Sequence, residues 1–352
     1  MNNMKKLIIP LVSLLLSLLA GVVVILIIGK NPITAYQNLL QGSGLLPKPS
    51  YAGYKSMFTD FMVFLNTLTP MIFAALAVVV AFKSGLFNIG VSSQMLLAGF
   101  TATVLIGYSP LNGWIAKPLV IIIGIVVGAA LAGLIGYLKY KFNINEVVSS
   151  IMLNYIVQYV ISFFINTSFI DVVSRQSKNI NPEASLTLKN VEIAGLKMDI
   201  PIGFLIAIIA IIIVGFVLNH TKFGYEIMTV GKSKEAATYA GINVGPTLVK
   251  AMLLSGALAG LAGVTYYLGL NWSIRPRILP SVGFDAIAVA LFGNISAFGS
   301  FLASFVVTII TKGSAYMSSI SKVPAEIASV ITALILLCSA SGAYFKFKKG
   351  GF

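Results

Sequence analysis

Histidine and cysteine are almost missing from this chain of 352 residues, which has one of each, and acidic side chains are few, at 10 Asp and Glu in all. With Cys338 alone, no intrachain disulfide and no cysteine-based metal site can form. His220 has no second His or Cys to share a metal with, and the sequence pairs it with no serine and carboxylate relay. A phosphate-binding loop is missing too. Gly231, Lys232 and Ser233 spell the end of one, but Glu226 stands where its first glycine must fall. These gaps argue against catalysis and against ATP hydrolysis by the chain itself. No catalytic residue, metal ligand or cofactor of its own is expected.

Charge is scarce as well. Only 10% of residues are charged, against roughly 25% in an ordinary soluble domain, while 58% are hydrophobic. A water-soluble fold is excluded on that balance. A hydrocarbon core of roughly 30 Å takes about 20 mostly apolar helical residues to cross, and such stretches recur from Leu7 to Ala343. Leu119 to Leu138 and Ile200 to Leu218 are unbroken apolar runs rather than short alternating strands, which rules out a membrane barrel. The fold class is therefore all-α: a polytopic membrane helical bundle. The net charge of +14 comes from Lys and Arg at the ends of apolar segments, with no long basic run. Anionic membrane lipid is the partner for such a distribution, and nucleic acid is not.

What is present is a series of apolar runs beginning near residues 7, 61, 89, 118, 146, 201, 250, 284, 300 and 325. They predict about 10 transmembrane helices. The segments Gly283–Gly299 and Ser300–Tyr316 are short and rich in Gly, Ala and Ser, so either can be a buried half-helix, and the range is 8–10. The start, MNNMKK followed by Leu7 to Ile28, is too long for a signal peptide and lacks its cleavage pattern, so it reads as an uncleaved first helix. Loop Lys and Arg divide evenly between the two sides. Lys5 and Lys6 before the first span, and Lys346, Lys348 and Lys349 after the last, place both termini in the cytoplasm of a multi-pass cell-membrane protein. Asn31–Thr59 and Phe169–Asp199 then lie outside, and residues 219–249 inside. NEVVSSIML from Asn145 is similar to AEIASVITAL from Ala325, and GLFNIG from Gly85 to GFDAIA from Gly283. An inverted-topology repeat would produce such pairs, and chance similarity is the alternative.

Residues 219–249 hold the charged stretch NHTKFGYEIMTVGKSKEAATYAGINV, which cannot sit in lipid. Ser233 is placed to cap a short surface helix through Lys234, Glu235, Ala236, Ala237 and Tyr239, with Gly241 as its stop. Ala236 and Ala237, with Gly241 four positions on, resemble the EAA-type loop by which ABC-importer permeases dock their ATPase. GLFNIGVSSQMLLAG from Gly85, INEVVSSIMLNY from Ile144, LSGALAGLAG from Leu254 and GFDAIAVALFG from Gly283 are similar to the permease branch for simple sugars, nucleosides and branched-chain amino acids. The combination of the second and fourth most resembles the nucleoside-importer permeases. Where that family usually has Glu-Gly before the glutamine of its third span, this chain has Ser92 and Ser93 before Gln94.

The resemblance implies one permease domain over residues 1–352, with 219–249 as a cytoplasmic ATPase-coupling loop within it and Gly224, Ser233, Glu235, Ala236, Ala237 and Gly241 as its coupling residues. It also implies the partners: a cytoplasmic ABC ATPase that binds the ATP, a second homologous or identical permease, and an extracytoplasmic substrate-binding lipoprotein. The expected function is nucleoside import, with a sugar-importing ABC permease or an ion-coupled secondary transporter as alternatives. Asp60, Glu146, Asp285 and Glu326 all fall at span ends, which disfavours the ion-coupled reading.

Asn66, Asn88, Gln94, Asn154 and Asp285 are the candidates for a substrate path, because polar groups within or at the edge of a span usually face the bundle interior. Gln158 shares that position. The amides serve equally well as ties between helices. Gly128, Gly133 and Gly136, and Gly256, Gly260 and Gly263, fit close helix packing. Tyr266, Tyr267 and Trp272 read either as an interfacial belt or as a platform for a nucleobase.

Overall fold

The computed structural model describes residues 3–193, 195–327, 329–335 and 337; Cys338 and the basic cluster Lys346, Lys348 and Lys349 lie outside the described residues. In chain order the helices are α1 (Asn3–Ile27), α2 (Pro32–Gly42), α3 (Met57–Lys83), α4 (Val91–Ala102), α5 (Gly113–Phe142) and α6 (Glu146–Phe164). A two-stranded sheet follows, β1 (Thr187–Ile193) with β2 (Leu196–Pro201). Then come α7 (Ile202–His220), α8 (Lys222–Lys232), α9 (Lys234–Tyr239), α10 (Val244–Thr265), α11 (Val282–Phe292) and α12 (Ala297–Ser321). Residues 326–327 and 329–335 are again helical. α4, α6 and α10 each end in a π-wound turn, the last at Tyr266–Asn271.

Every apolar run read from the sequence begins on or beside one of these helices. Among the described residues, however, six helices are long and apolar enough to cross a membrane, or up to seven if the bent pair α1–α2 is one span. Val91–Gly107 and Val282–Phe292 are shorter apolar helices. Two expectations need correction. The chain turns by 118° between α1 and α2, so the first part of Asn31–Thr59 is helix rather than loop. Asn31 caps α2 with Pro32 at its first position, a start signal strong enough to restart a helix straight after the break. The fold is also not purely α. Val191 and Ile193, then Leu196, Met198 and Ile200, alternate along β1 and β2, the period that suits a pleat.

Contacts divide the chain into two compact units. One comprises residues 1–68, 189–200 and 288–352. In it α2 crosses α12 so closely that a Cβ on Gly42 would strike the Gly313 backbone and Tyr316, and Phe64 meets Phe305 edge-on at 5.1 Å. Lys48 pairs with Asp60 at 2.6 Å and lies 4.8 Å above the Tyr316 ring.

The other unit comprises residues 69–188 and 201–287. Its centre is the α5–α10 pair. A Cβ on Gly128 would strike the Gly256 carbonyl, one on Gly260 the Gly124 carbonyl, and one on Gly136 the Met252 side chain. The glycines read as packing residues therefore face each other, and the two helices meet backbone to backbone. Gly263 offers its bare face to α4 at Met95 instead.

Candidate functional site

Three groups of residues in the second unit carry chemistry. The first is the α8–α9 surface pair. Thr221 caps α8, its hydroxyl accepting from the Gly224 amide at 3.1 Å. Gly224 lies against the Val217 and Leu218 carbonyls, which leaves no room for a side chain. Ser233, in extended backbone, caps α9 by accepting from the Ala236 amide at 3.1 Å, and its hydroxyl donates to the Glu235 carboxylate at 3.0 Å. Hydrogen bonds to the carboxylate, from Glu235's own backbone amide first and the Ser233 hydroxyl next, hold the exposed Glu235 carboxyl below its ordinary value.

Ala237 alone of this short helix is buried, in a core with Ala81, Leu86, Ile135, Val230 and Met252. Ala236 and Tyr239 are exposed. Gly241 ends the helix at φ +76°, where any side chain would strain the backbone. At the end of α8, a Cβ on Gly231 would strike the Lys83 carbonyl, so the loop rests directly on the turn that joins α3 to α4.

That turn leads into the second group, a buried amide cluster. Asn88 donates to Gln94 at 3.1 Å and to the Ser255 hydroxyl at 2.9 Å, and accepts from Gln94 at 3.0 Å. Ser255 donates to the Ala77 carbonyl at 2.7 Å. Asn154 accepts from the Ser93 amide and donates to the Ile89 carbonyl, both at 3.2 Å. Ser92 donates to the Pro280 carbonyl at 2.9 Å. Three of the five path candidates, Asn88, Gln94 and Asn154, thus come together, each bonded to protein. Asn66 is buried in the other unit, and Asp285 sits half-buried in the first turn of α11 rather than at its cap. Ser92 and Ser93, the departure from the resembled family, are fully buried.

The third group lines a cavity of about 230 Å³ at the far end of α10, bounded by Gln176, Tyr266, Tyr267, Asn271, Ser273 and Arg275. α10 has 22 residues, so this cavity lies roughly 33 Å along the helix from the α8–α9 pair, about one hydrocarbon thickness. Tyr266 and Tyr267 stand at right angles, 4.9 Å apart. Of these residues the sequence reading singled out the two tyrosines alone. Gln176, Asn271, Ser273 and Arg275 come from irregular or π-wound segments, which leave no periodic trace.

Residues 61–340 match the family model described as branched-chain amino acid transport system / permease component. The chain is 34% identical over 344 residues to the nucleoside ABC transporter permease protein NupB of Lactococcus lactis, covering 95% of this chain and 91% of that one. It is 33% identical to the guanosine ABC transporter permease protein NupP of Bacillus subtilis, over 99% and 97% of the two chains. To the glucose ABC transporter permease protein TsgB13 of Haloferax volcanii it is 28% identical, over 96% and 88%. The chain belongs to the branched-chain amino acid transport system permease family. It is a multi-pass membrane transport protein, not an enzyme.

Proposed function

We propose that this chain is the membrane-spanning permease of an ATP-driven nucleoside importer. The observation that carries the substrate class is the near full-length match to two permeases named for nucleoside and guanosine transport. A glucose permease matches over as much of the chain at lower identity, which keeps a sugar as the second reading.

In this reading residues 1–352 act as one permease domain, paired with a second, homologous or identical permease. A cytoplasmic ABC ATPase holds the ATP and grips the loop 219–249, while a lipoprotein delivers substrate from outside. Both termini are cytoplasmic. Several observations favour the coupling role of Ser233, Glu235, Ala236, Ala237 and Gly241. α9 is capped at both ends, anchored through Ala237 and otherwise open to a partner. Force on it passes through Gly231 to the α3–α4 turn, three residues from Asn88. Asn88, Gln94 and Asn154 then serve as the ties that make α3, α4, α6 and α10 move together, more than as a path lining. Gly224 holds α8 against α7.

The short helices α4 and α11 are read as broken spans, bringing the total toward ten. Their equivalence supports an inverted repeat: GLFNIG precedes α4, GFDAIA opens α11, and NEVVSSIML and AEIASVITAL each begin a helix. A pair of short apolar segments in corresponding places is the mark of such transporters.

The test is ATP hydrolysis by the chain reconstituted with its ATPase and lipoprotein, comparing wild type with Gly241→Asp and nucleosides with sugars. Stimulation by nucleosides that vanishes in the folded variant is the expected result. Stimulation by sugars alone would reassign the substrate, and uptake that follows an ion gradient with no ATPase bound would replace the mechanism.

A further inference from the structure

We infer that the cavity at the end of α10 is a recognition site for the nucleobase of a 6-oxopurine nucleoside, an inference that rests on the nucleoside reading above. The cavity, about 230 Å³, is slightly below the roughly 300–1,000 Å³ of small-molecule pockets, a size for one base rather than a whole nucleotide. Its walls are fixed. Tyr267 is buried, and its ring fills the space left by Gly99 on α4. Tyr266 is held perpendicular to it and remains partly open, a flat face already oriented for stacking.

Much of the remaining lining comes from the segment after α10, which is pinned at several points. Gln158 donates to the Arg277 carbonyl at 2.6 Å, the Arg277 amide donates to the Ser162 hydroxyl at 2.7 Å, and Ser92 holds the Pro280 carbonyl. Trp272 and Arg277 both take positive φ, and the preceding turn is π-wound. Backbone departures of both kinds are enriched at functional sites, where surrounding contacts hold them in place.

The lining chemistry selects the edge of the ligand. Arg275 offers only donors, in a planar fork. The Gln176 side-chain Oε1 accepts from the Ser273 hydroxyl at 2.7 Å, so what this amide chiefly has to offer a ligand is its Nε2 donors. No carboxylate lines the cavity among the described residues. A base presenting two adjacent acceptors, O6 and N7, satisfies an arginine fork with two parallel bonds. Adenine places an N6 donor where the first acceptor is needed and is disfavoured. Through the Arg275 fork, guanosine and inosine are favoured over adenosine and cytidine.

Two measurements test this. In cells carrying the complete importer, guanosine uptake should require this chain. Tyr266→Ala should raise the KM for guanosine about tenfold, with Tyr266→Phe close to wild type because the ring is kept. Arg275→Ala should erase a preference of about tenfold for guanosine over adenosine. In lipid nanodiscs, the full chain carrying Trp114→Phe keeps Trp272, beside the cavity, as its single tryptophan. Guanosine should quench its fluorescence, and Arg275→Ala should weaken the quench. If uptake requires the chain but its KM, its base preference and the Trp272 signal ignore both substitutions, the site is wrong and the nucleoside reading stands. If guanosine uptake persists without the chain, the nucleoside reading and this ligand assignment fall together.

Discussion

Along α5 and α10, Gly128, Gly256 and Gly260 bring two backbones into direct contact, with carbonyls where side chains would otherwise stand. On α9, by contrast, Ala237 is the single buried residue, and Ala236 and Tyr239 are left open. Both regions depend on small residues, for different reasons. In the seam smallness brings the two sides of one fold together, a large share of the attraction between helices in lipid being van der Waals contact. On α9 smallness leaves room for something that is not part of this chain. Substitutions in the seam should therefore cost folding, and substitutions on α9 should cost transport while the fold survives.

The largest effect is expected from Gly128→Leu. The added side chain meets backbone, which cannot rotate away, so the cost lies at or above the top of the roughly 1–3 kcal/mol usual for overpacking. Size-exclusion profiles and thermal unfolding in detergent should show little monodisperse protein and a lowered midpoint. A well-folded Gly128→Leu chain would mean that the seam is looser than its geometry implies.

Next comes Asn88→Ala, which strips two hydrogen bonds from Gln94 and one each from Ser255 and the Gly90 amide in a closed interior. The expected loss is about 1–3 kcal/mol, that of buried groups left unsatisfied. Asn88 lies between the two regions compared above, so it should also lower ATPase coupling in the fraction that remains folded. Loss of stability with coupling unchanged would separate the amide cluster from transmission.

Much of this contrast was legible in the sequence, and the reasons are physical. The apolar runs mark their helices because lipid demands about 20 apolar residues per span, and the glycine spacing of α5 and α10 announced a close seam. Ser233 and Gly241 announced the ends of α9 because caps are local, set by one hydroxyl and one φ angle. The bend after α1 escaped, since Gly29 to Asn31 marks a break but says nothing of its angle. The β1–β2 pair escaped although its alternation is visible, because runs of seven and six residues are short beside the apolar segment that follows. The cavity escaped because its walls meet only in three dimensions: Gln176 lies 90 positions from Tyr266 in the chain.

Gly241→Val should cost about 1–2 kcal/mol, the price of a left-handed backbone angle for a residue with a side chain. Space is not the obstacle, because nothing lies within 4 Å of where its Cβ would stand. The seam and the rest of the unit should keep their thermal midpoint within a few degrees, while substrate-stimulated ATP hydrolysis drops to the unstimulated level. Intact stimulation would show that the end of α9 can be re-routed without harm to docking.

The smallest and most discriminating change is at Ser233. Ser233→Ala removes the α9 cap, worth about 0.5–2 kcal/mol to a helix, and frees Glu235 from one of the hydrogen bonds that hold its carboxyl low. α9 has six residues, too few to persist without a cap and an anchor, so the loss falls on local order rather than on global stability. Hydrogen exchange at the Ala236 and Ala237 amides should quicken while the α5–α10 amides stay protected, and the affinity for the ATPase should fall. Ser233→Asp restores an acceptor at the cap and should recover most of that affinity. If the alanine variant instead lowered the midpoint of the whole chain as Gly128→Leu does, α9 would belong to the folded core, and the division between a seam that folds and a helix that docks would be lost.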